Sequence, residues 1–355
     1  MEEIGQRTLR AFQEGRPSEI IWNITNRCNL TCRHCYVDAD YSKAPNELSP
    51  AEALELVDQI AEAGVPLLFV TGGEPMTRPD FWDILARAQH HGIRVVVSTN
   101  SLYIDDEAAD RLVQLDVDYL ATSLYGPEAF HDAYVGAKGA YRRTVENIAR
   151  LKKRGIKVGI KTVVTASTYP HFFNLVQTTK DLGCGLLYAC DLVEVGRAAN
   201  QRETRVSGDQ LREIADFILA DVLKDPDRGI EYDIGALPSI AVYIMKKLKE
   251  RGIDVTKGVA RMKVKSACPV GKGLMGINAE GNILPCSFVQ DFSVGNVREL
   301  GIRGGVQKLF ELGRSPIDGA CGECEAVELC RGCRVKAYHA SGNILGSDPI
   351  CLMRN

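Results

Sequence analysis

The chain has 355 residues, 45% of them hydrophobic and 25% charged, with a formal net charge of −3. A core of ordinary size is available, and the length suits two domains or one large α/β domain with an appendage. The charge balance excludes the strong basic field that nucleic-acid binding draws on. No apolar run reaches the roughly 18 residues that a membrane span needs.

The opening stretch, MEEIGQRTLRAF, lacks an apolar core of signal-peptide length, so a cytoplasmic protein is expected. The twelve cysteines then read as metal or cluster ligands rather than disulfides. Residues 1–19 form a short N-terminal segment. From residue 20 to about 192, β-rich runs alternate with amphipathic stretches of helical length. The runs are IIWNIT (20–25), PLLFVT (66–71), RVVVST (94–99), VDYLATSL (117–124), KVGIKTVV (157–164) and GLLYACDLV (185–193). Ser49 before Pro50 predicts a capped helix start, and Gly64, Gly92, Gly155 and Gly183 predict helix ends. Repeated βα units predict an α/β fold with a parallel sheet, and six suffice for a partial (β/α)6 TIM-like barrel over residues 20–205. Ligand chemistry then belongs at the C-terminal ends of the strands. Residues 206–261 read as a helical bridge and 262–355 as a C-terminal cysteine-rich, cluster-binding domain.

Directly after the first run comes NRCNLTCRHCY, with Cys28, Cys32 and Cys35 spaced C-x3-C-x2-C. A zinc knuckle or free thiols are the alternatives, but structural zinc takes four ligands, usually in paired C-x2-C units. Three thiols on one loop fit a [4Fe–4S] cluster with one iron left open to a small molecule. Polar residues stand at the following strand ends. TGGEP (71–75) carries Gly72 and Gly73, which permit close backbone approach, then Glu74 and Pro75. Ser98 and Asn100 end the third run and Ser123 the fourth. Lys161 lies on the fifth. Arg197 follows the sixth and is suited to pairing with a carboxylate of cofactor or substrate. A structural polar role is the alternative for Lys161 and Arg197. The remaining cysteines are spaced Cys268-x17-Cys286, then Cys321-x2-Cys324-x5-Cys330-x2-Cys333, then Cys351. Zinc ribbons are the alternative there.

Together these motifs resemble the radical SAM superfamily, with His34 in the aromatic position of its C-x3-C-x-aromatic-C motif. The resemblance implies that S-adenosylmethionine chelates the open iron, and that the reduced cluster cleaves it to a 5′-deoxyadenosyl radical. It implies cofactor contacts for His34, Gly72, Gly73, Glu74, Pro75, Ser98, Asn100, Ser123 and Lys161. Many relatives have Ser-Leu-Asp-Gly where this chain has SLYG, so Tyr125 is a departure. The last ninety or so residues resemble the SPASM extension, which holds auxiliary iron–sulfur clusters. Carried over, Cys321, Cys324, Cys330 and Cys351 would hold a distal cluster, and Cys268, Cys286 and Cys333 a nearer one. That nearer set has three thiolates. A non-cysteine ligand, an open iron or a smaller cluster would complete it. Cys184 and Cys190 read as buried small hydrophobes, with ligation as the alternative.

IIWNITNRCNLTCRHCY, YACDLVEVGRA and CRGCRVKAYHASGNILGSDPIC resemble the branch that modifies tetrapyrroles in alternative haem and haem d1 synthesis. This implies removal or decarboxylation of carboxylate side chains, local cations such as Arg197, Lys161, Arg202 and Arg205, and a ferredoxin- or flavodoxin-type donor. SLYGPEAFHDAYVGAKGAY is similar to peptide-maturing relatives, so a peptide substrate is the alternative. An iron–sulfur electron carrier without catalysis would account for the cysteines but not for the TGGEP turn.

Overall fold

Each of the six apolar runs becomes a strand: β1 (Glu19–Asn23), β2 (Leu67–Thr71), β3 (Arg94–Thr99), β4 (Tyr119–Ser123), β5 (Val158–Val164) and β6 (Leu186–Asp191). The computed structural model describes residues 2–42, 46–200, 204–225 and 229–354. Four further strands were not expected: β7 (Glu231–Gly235), β8 (Leu274–Ile277), β9 (Asn282–Leu284) and β10 (Gly295–Asn296). All ten join one sheet in the order β10-β9-β8-β1-β2-β3-β4-β5-β6-β7. The strands β1 to β8 pair in parallel, and β9 and β10 extend the edge antiparallel. The edges β10 and β7 do not pair with each other, so the barrel is open.

Two corrections follow. The stretch read as a helical bridge contains β7, which adds to β6. Its sequence, EYDIG, carries alternating acids that hide the strand signal. In addition β8, from the cysteine-rich part, pairs with β1, so the sheet continues across residue 262.

Helices cover the outer face. The helix Pro50–Glu62 starts in a reciprocal capping box between Ser49 and Glu52. Gly64, Gly92, Gly155 and Gly183 all take the left-handed conformation that ends helices. Strand alternation sends Ile20, Trp22, Leu68, Val70, Leu120 and Leu187 outward into one large core with the helices. The opposite face is more open: Phe69, Ser98, Tyr119, Lys161 and Tyr188 are half-buried. Among the described residues, no helix is long and apolar enough to cross a membrane.

Candidate active site and cluster sites

The loop after β1 is held from several sides. Cys28 N donates to Asp40 O (2.5 Å), Thr31 N to Val135 O (3.1 Å) and Arg33 N to Tyr134 O (3.2 Å). From beyond β6, Arg197 N donates to Cys35 O (2.9 Å). Gly196 precedes it at φ +56°, where a Cβ would lie 2.6 Å from the carbonyl oxygens of Cys35 and Tyr36. The Arg197 side chain is buried. Its guanidinium donates to Ala39 O through Nη1 (3.1 Å) and through Nη2, and its Nε lies 3.3 Å from the Asp38 carboxylate. Sequence reasoning gave Arg197 to a carboxylate of cofactor or substrate. Here its donors are engaged by the cluster loop.

The three thiols of this loop are electrostatic neighbours. Burial pushes Cys28 up to about 12 and raises Cys32 and Cys35 as well, while the Arg197 charge opposes this at Cys32 and Cys35. Leu30 N donates to Cys28 Sγ (3.4 Å) and Ala39 N to Cys35 Sγ (3.3 Å). All twelve cysteines are free of disulfides. Neighbouring thiols with N–H donors and an adjacent guanidinium fit an iron–sulfur cluster held by thiolates, whose negative charge these groups offset.

The TGGEP turn lies against this loop. Gly72 has φ +145°, and a Cβ there would sit 2.3 Å from Thr25 O; one on Gly73 would sit 2.4 Å from Arg27 O. Pro75 opens a short 3-10 turn, Pro75–Thr77. Glu74 is fully buried, and its carboxylate accepts from Thr99 Oγ1 (2.8 Å), Asn100 N (2.8 Å) and Met76 N (3.1 Å). Burial pushes it up to about 7. The Glu74 side chain thus ties the turn after β2 to the end of β3. Asn100 Nδ2 donates to Asn29 Oδ1 (2.7 Å), joining the end of β3 to the cluster loop. Asn29 was missed by sequence reasoning, although it lies inside the motif. Lys161 Nζ reaches across β4 to Ser98 Oγ (2.7 Å), and Ser123 is half-buried at the end of β4.

His34 Nε2 is 3.0 Å from the Tyr125 hydroxyl, and its ring stacks on Tyr134 at 5.2 Å and 10°. Burial, then the charges of Lys161 and Arg197, push His34 down to about 3, so the imidazole is neutral. Tyr125, the departure in SLYG, is therefore the partner of the histidine in the aromatic position.

The distal set also converges. Cys321, Cys324, Cys330 and Cys351 line one small cavity. Asp348 N donates to Cys321 Sγ (3.4 Å) and Gly332 N to Cys330 Sγ (3.4 Å). Cys286 and Cys333 pack in one apolar cluster with Val193, Val195, Phe288 and Tyr36. Cys268 is an electrostatic neighbour of both. Tyr36 follows Cys35 directly. It donates to Asn23 Oδ1 (2.8 Å), and its ring meets that of Phe288 at 4.9 Å. A fully buried ion pair between Lys336 and Asp191 ties the helix Arg334–Ser341 to β6. Of the other expected cations, Arg205 lies 3.4 Å from Glu194, and Arg202 lies outside the described residues.

The model of the radical SAM superfamily matches residues 22–173, and that of the SPASM iron–sulfur cluster-binding domain matches residues 268–334. The chain is 30% identical to an AdoMet-dependent heme synthase of Oleidesulfovibrio alaskensis, over 96% of this chain and 89% of that one. It is a radical SAM enzyme with a SPASM domain. A second relative of this radical SAM enzyme is a pre-heme d1 synthase of Dinoroseobacter shibae, 29% identical over 99% of this chain and 91% of that one. The crystal structure of Streptococcus suis SuiB bound to S-adenosylmethionine superposes with a TM-score of 0.75. It is 17% identical and covers 95% of this chain and 77% of that one, a likeness of fold. The cofactor set of this radical SAM enzyme is therefore S-adenosylmethionine, a radical SAM iron–sulfur cluster and the auxiliary iron–sulfur clusters of a SPASM domain.

Proposed function

We propose that this radical SAM enzyme modifies carboxylate-bearing side chains of a tetrapyrrole, removing or decarboxylating them in haem-type cofactor synthesis. The observation that carries the substrate class is the near-full-length similarity to heme and pre-heme d1 synthases. Cys28, Cys32 and Cys35 would hold the iron–sulfur cluster, and S-adenosylmethionine bound there would supply a 5′-deoxyadenosyl radical for hydrogen abstraction. The protein's part is position and exclusion of water. Gly72 and Gly73 bring the turn close to the cluster loop, Asn100 and Asn29 fix the end of β3, and neutral His34 presents a flat face set by Tyr125 and Tyr134.

Lys161 is the cation we assign to a carboxylate of cofactor or substrate. It lies on the open face beside half-buried Tyr188, with Ser98 orienting its ammonium. We assign the reaction to the cytoplasm, with a small acidic ferredoxin or flavodoxin as electron donor.

The test is anaerobic titration of the reconstituted enzyme with sirohaem-derived and iron-coproporphyrin-type compounds. The expected result is a shift of the main visible band, with 5′-deoxyadenosine and a modified tetrapyrrole as products. No shift and no turnover, together with modification of a peptide encoded beside this chain, would replace the tetrapyrrole with a peptide.

A further inference from the structure

The nearer auxiliary set contains three cysteines, Cys268, Cys286 and Cys333, while each iron of a four-iron cluster takes one outside ligand. We propose that Cys190, from β6 of the barrel, is the fourth protein ligand of that cluster.

The two cysteines outside the SPASM motif differ in their surroundings. Cys184 packs inside the large core among aliphatic side chains, the fate of an ordinary buried thiol. Cys190 is just as buried, at 4% exposure, yet belongs to none of the three apolar clusters of the described residues. Strand register explains this. Leu187 and Ala189 face the helices, so Tyr188 and Cys190 face the other way, beside Lys161 and Val163 of β5. There Cys190 Sγ lies 3.3 Å from Asp191 O, and the Tyr188 hydroxyl, the Lys336 ammonium and Cys286 are its electrostatic neighbours.

The other ligands approach from the same side. Val193 and Val195, just beyond Cys190, pack in the cluster that contains Cys286 and Cys333. Lys336 stands three residues after Cys333 and pairs with Asp191, the residue next to Cys190. Lys336 thus ties the helix that follows Cys333 to the strand that carries Cys190. Asp191 is 1% exposed, and its Oδ1 has no hydrogen-bond partner. Its other oxygen is paired with Lys336, so Oδ1 is the rival donor beside the thiol. On ligation the S–H bond is replaced by an S–Fe bond and the proton passes to solvent, with no change in oxidation state. The nearer cluster would then have no iron open to substrate, and its fourth bond would fasten the SPASM domain to the barrel.

The test uses full-length protein with Cys28, Cys32 and Cys35 all changed to Ala, so that the open iron of the first cluster is gone. After anaerobic reconstitution this parent should hold about eight irons, two clusters of four. Labelled cyanide added to the reduced protein reports any open iron through its hyperfine coupling. The parent and its Cys184→Ala derivative should show none. Cys190→Ala should either bind cyanide or fall to about four irons, with circular dichroism confirming the fold. Cys190→Ser, which keeps the volume, should stay folded and shift the spectrum of one reduced cluster. Cyanide bound by the parent overturns the proposal, and this arm needs no change at Cys190. So does a Cys190→Ala protein with unchanged iron and no cyanide signal. If Asp191→Asn opens the iron while Cys190→Ala does not, the ligand is the carboxylate and the proposal falls.

Discussion

Arg197 Nη1 donates to the carbonyl oxygen of Ala39 at 3.1 Å. The bond runs from the chain beyond β6 to the loop that carries Cys28, Cys32 and Cys35, and Asp38 adds an ion pair to the same guanidinium. Charge-assisted bonds of this kind are worth roughly 1.5–3 kcal/mol each. Arg197→Ala should therefore lower 5′-deoxyadenosine formation without substrate by about tenfold or more. Tetrapyrrole affinity, read from the visible band, should change little. A variant that cleaves S-adenosylmethionine normally but loses tetrapyrrole binding would return Arg197 to the substrate.

His34 and Tyr125 should behave as a pair. Tyr125→Phe leaves the half-buried imidazole without its partner, at a cost of about 1–3 kcal/mol. Replacing both, as His34→Phe with Tyr125→Phe, removes donor and acceptor together and should cost less than the sum of the singles. Denaturant midpoints of the four proteins measure the coupling. Additive costs would show that the 3.0 Å contact carries no energy of its own.

The Lys336–Asp191 pair joins the SPASM helix to the barrel with both side chains fully buried. Lys336→Met strands the Asp191 carboxylate in the interior, a loss of about 3–5 kcal/mol. Lys336→Met with Asp191→Asn should recover part of it. Equilibrium unfolding under anaerobic conditions reads both, and equal stability of Lys336→Met and the native chain would contradict the burial of this pair.

Acid should weaken one specific tether. Glu52 accepts from Ser49 N (2.8 Å) and from Arg298 Nε (2.5 Å), linking the helix Pro50–Glu62 to the helix Val297–Arg314. These bonds hold its carboxyl down at about 2, against 4.5 for a free glutamate. A depressed carboxylate stabilises the fold above the unfolded value and loses that contribution as pH falls from 4.5 toward 2. The side chain is 37% exposed, so screening limits the effect to roughly 0.5–1 kcal/mol. Glu52→Gln should melt below the native chain at pH 7, and the gap should close on acidification. A gap that stays constant down to the acid limb would exclude this linkage.

Much of the cofactor site was legible because its signals are local. Cys28, Cys32 and Cys35 share one loop, so covalent spacing alone brings their sulfurs together. The six βα units follow from apolar runs and from glycines that end helices, which short-range sterics dictate. Gly72 and Gly73 stand where the backbone of the loop after β1 leaves no room for a Cβ, and a glycine pair at a strand end announces such an approach.

The chain by itself thus determined the cluster loop, the glycine turn, the barrel class and the C-terminal cysteine array. Only the tertiary structure decided what the longer polar side chains do. Glu74 turns to Thr99 and Asn100, Arg197 to Asp38 and Ala39, and Tyr125 to His34. It also decided that β7 and β8 complete the sheet, and that Cys190 faces away from the helices while Cys184 packs in the core. The physical reason is common to all of these. A buried polar group must find its partner wherever strand register and packing bring one, and that partner lies tens to hundreds of residues away, beyond any local pattern.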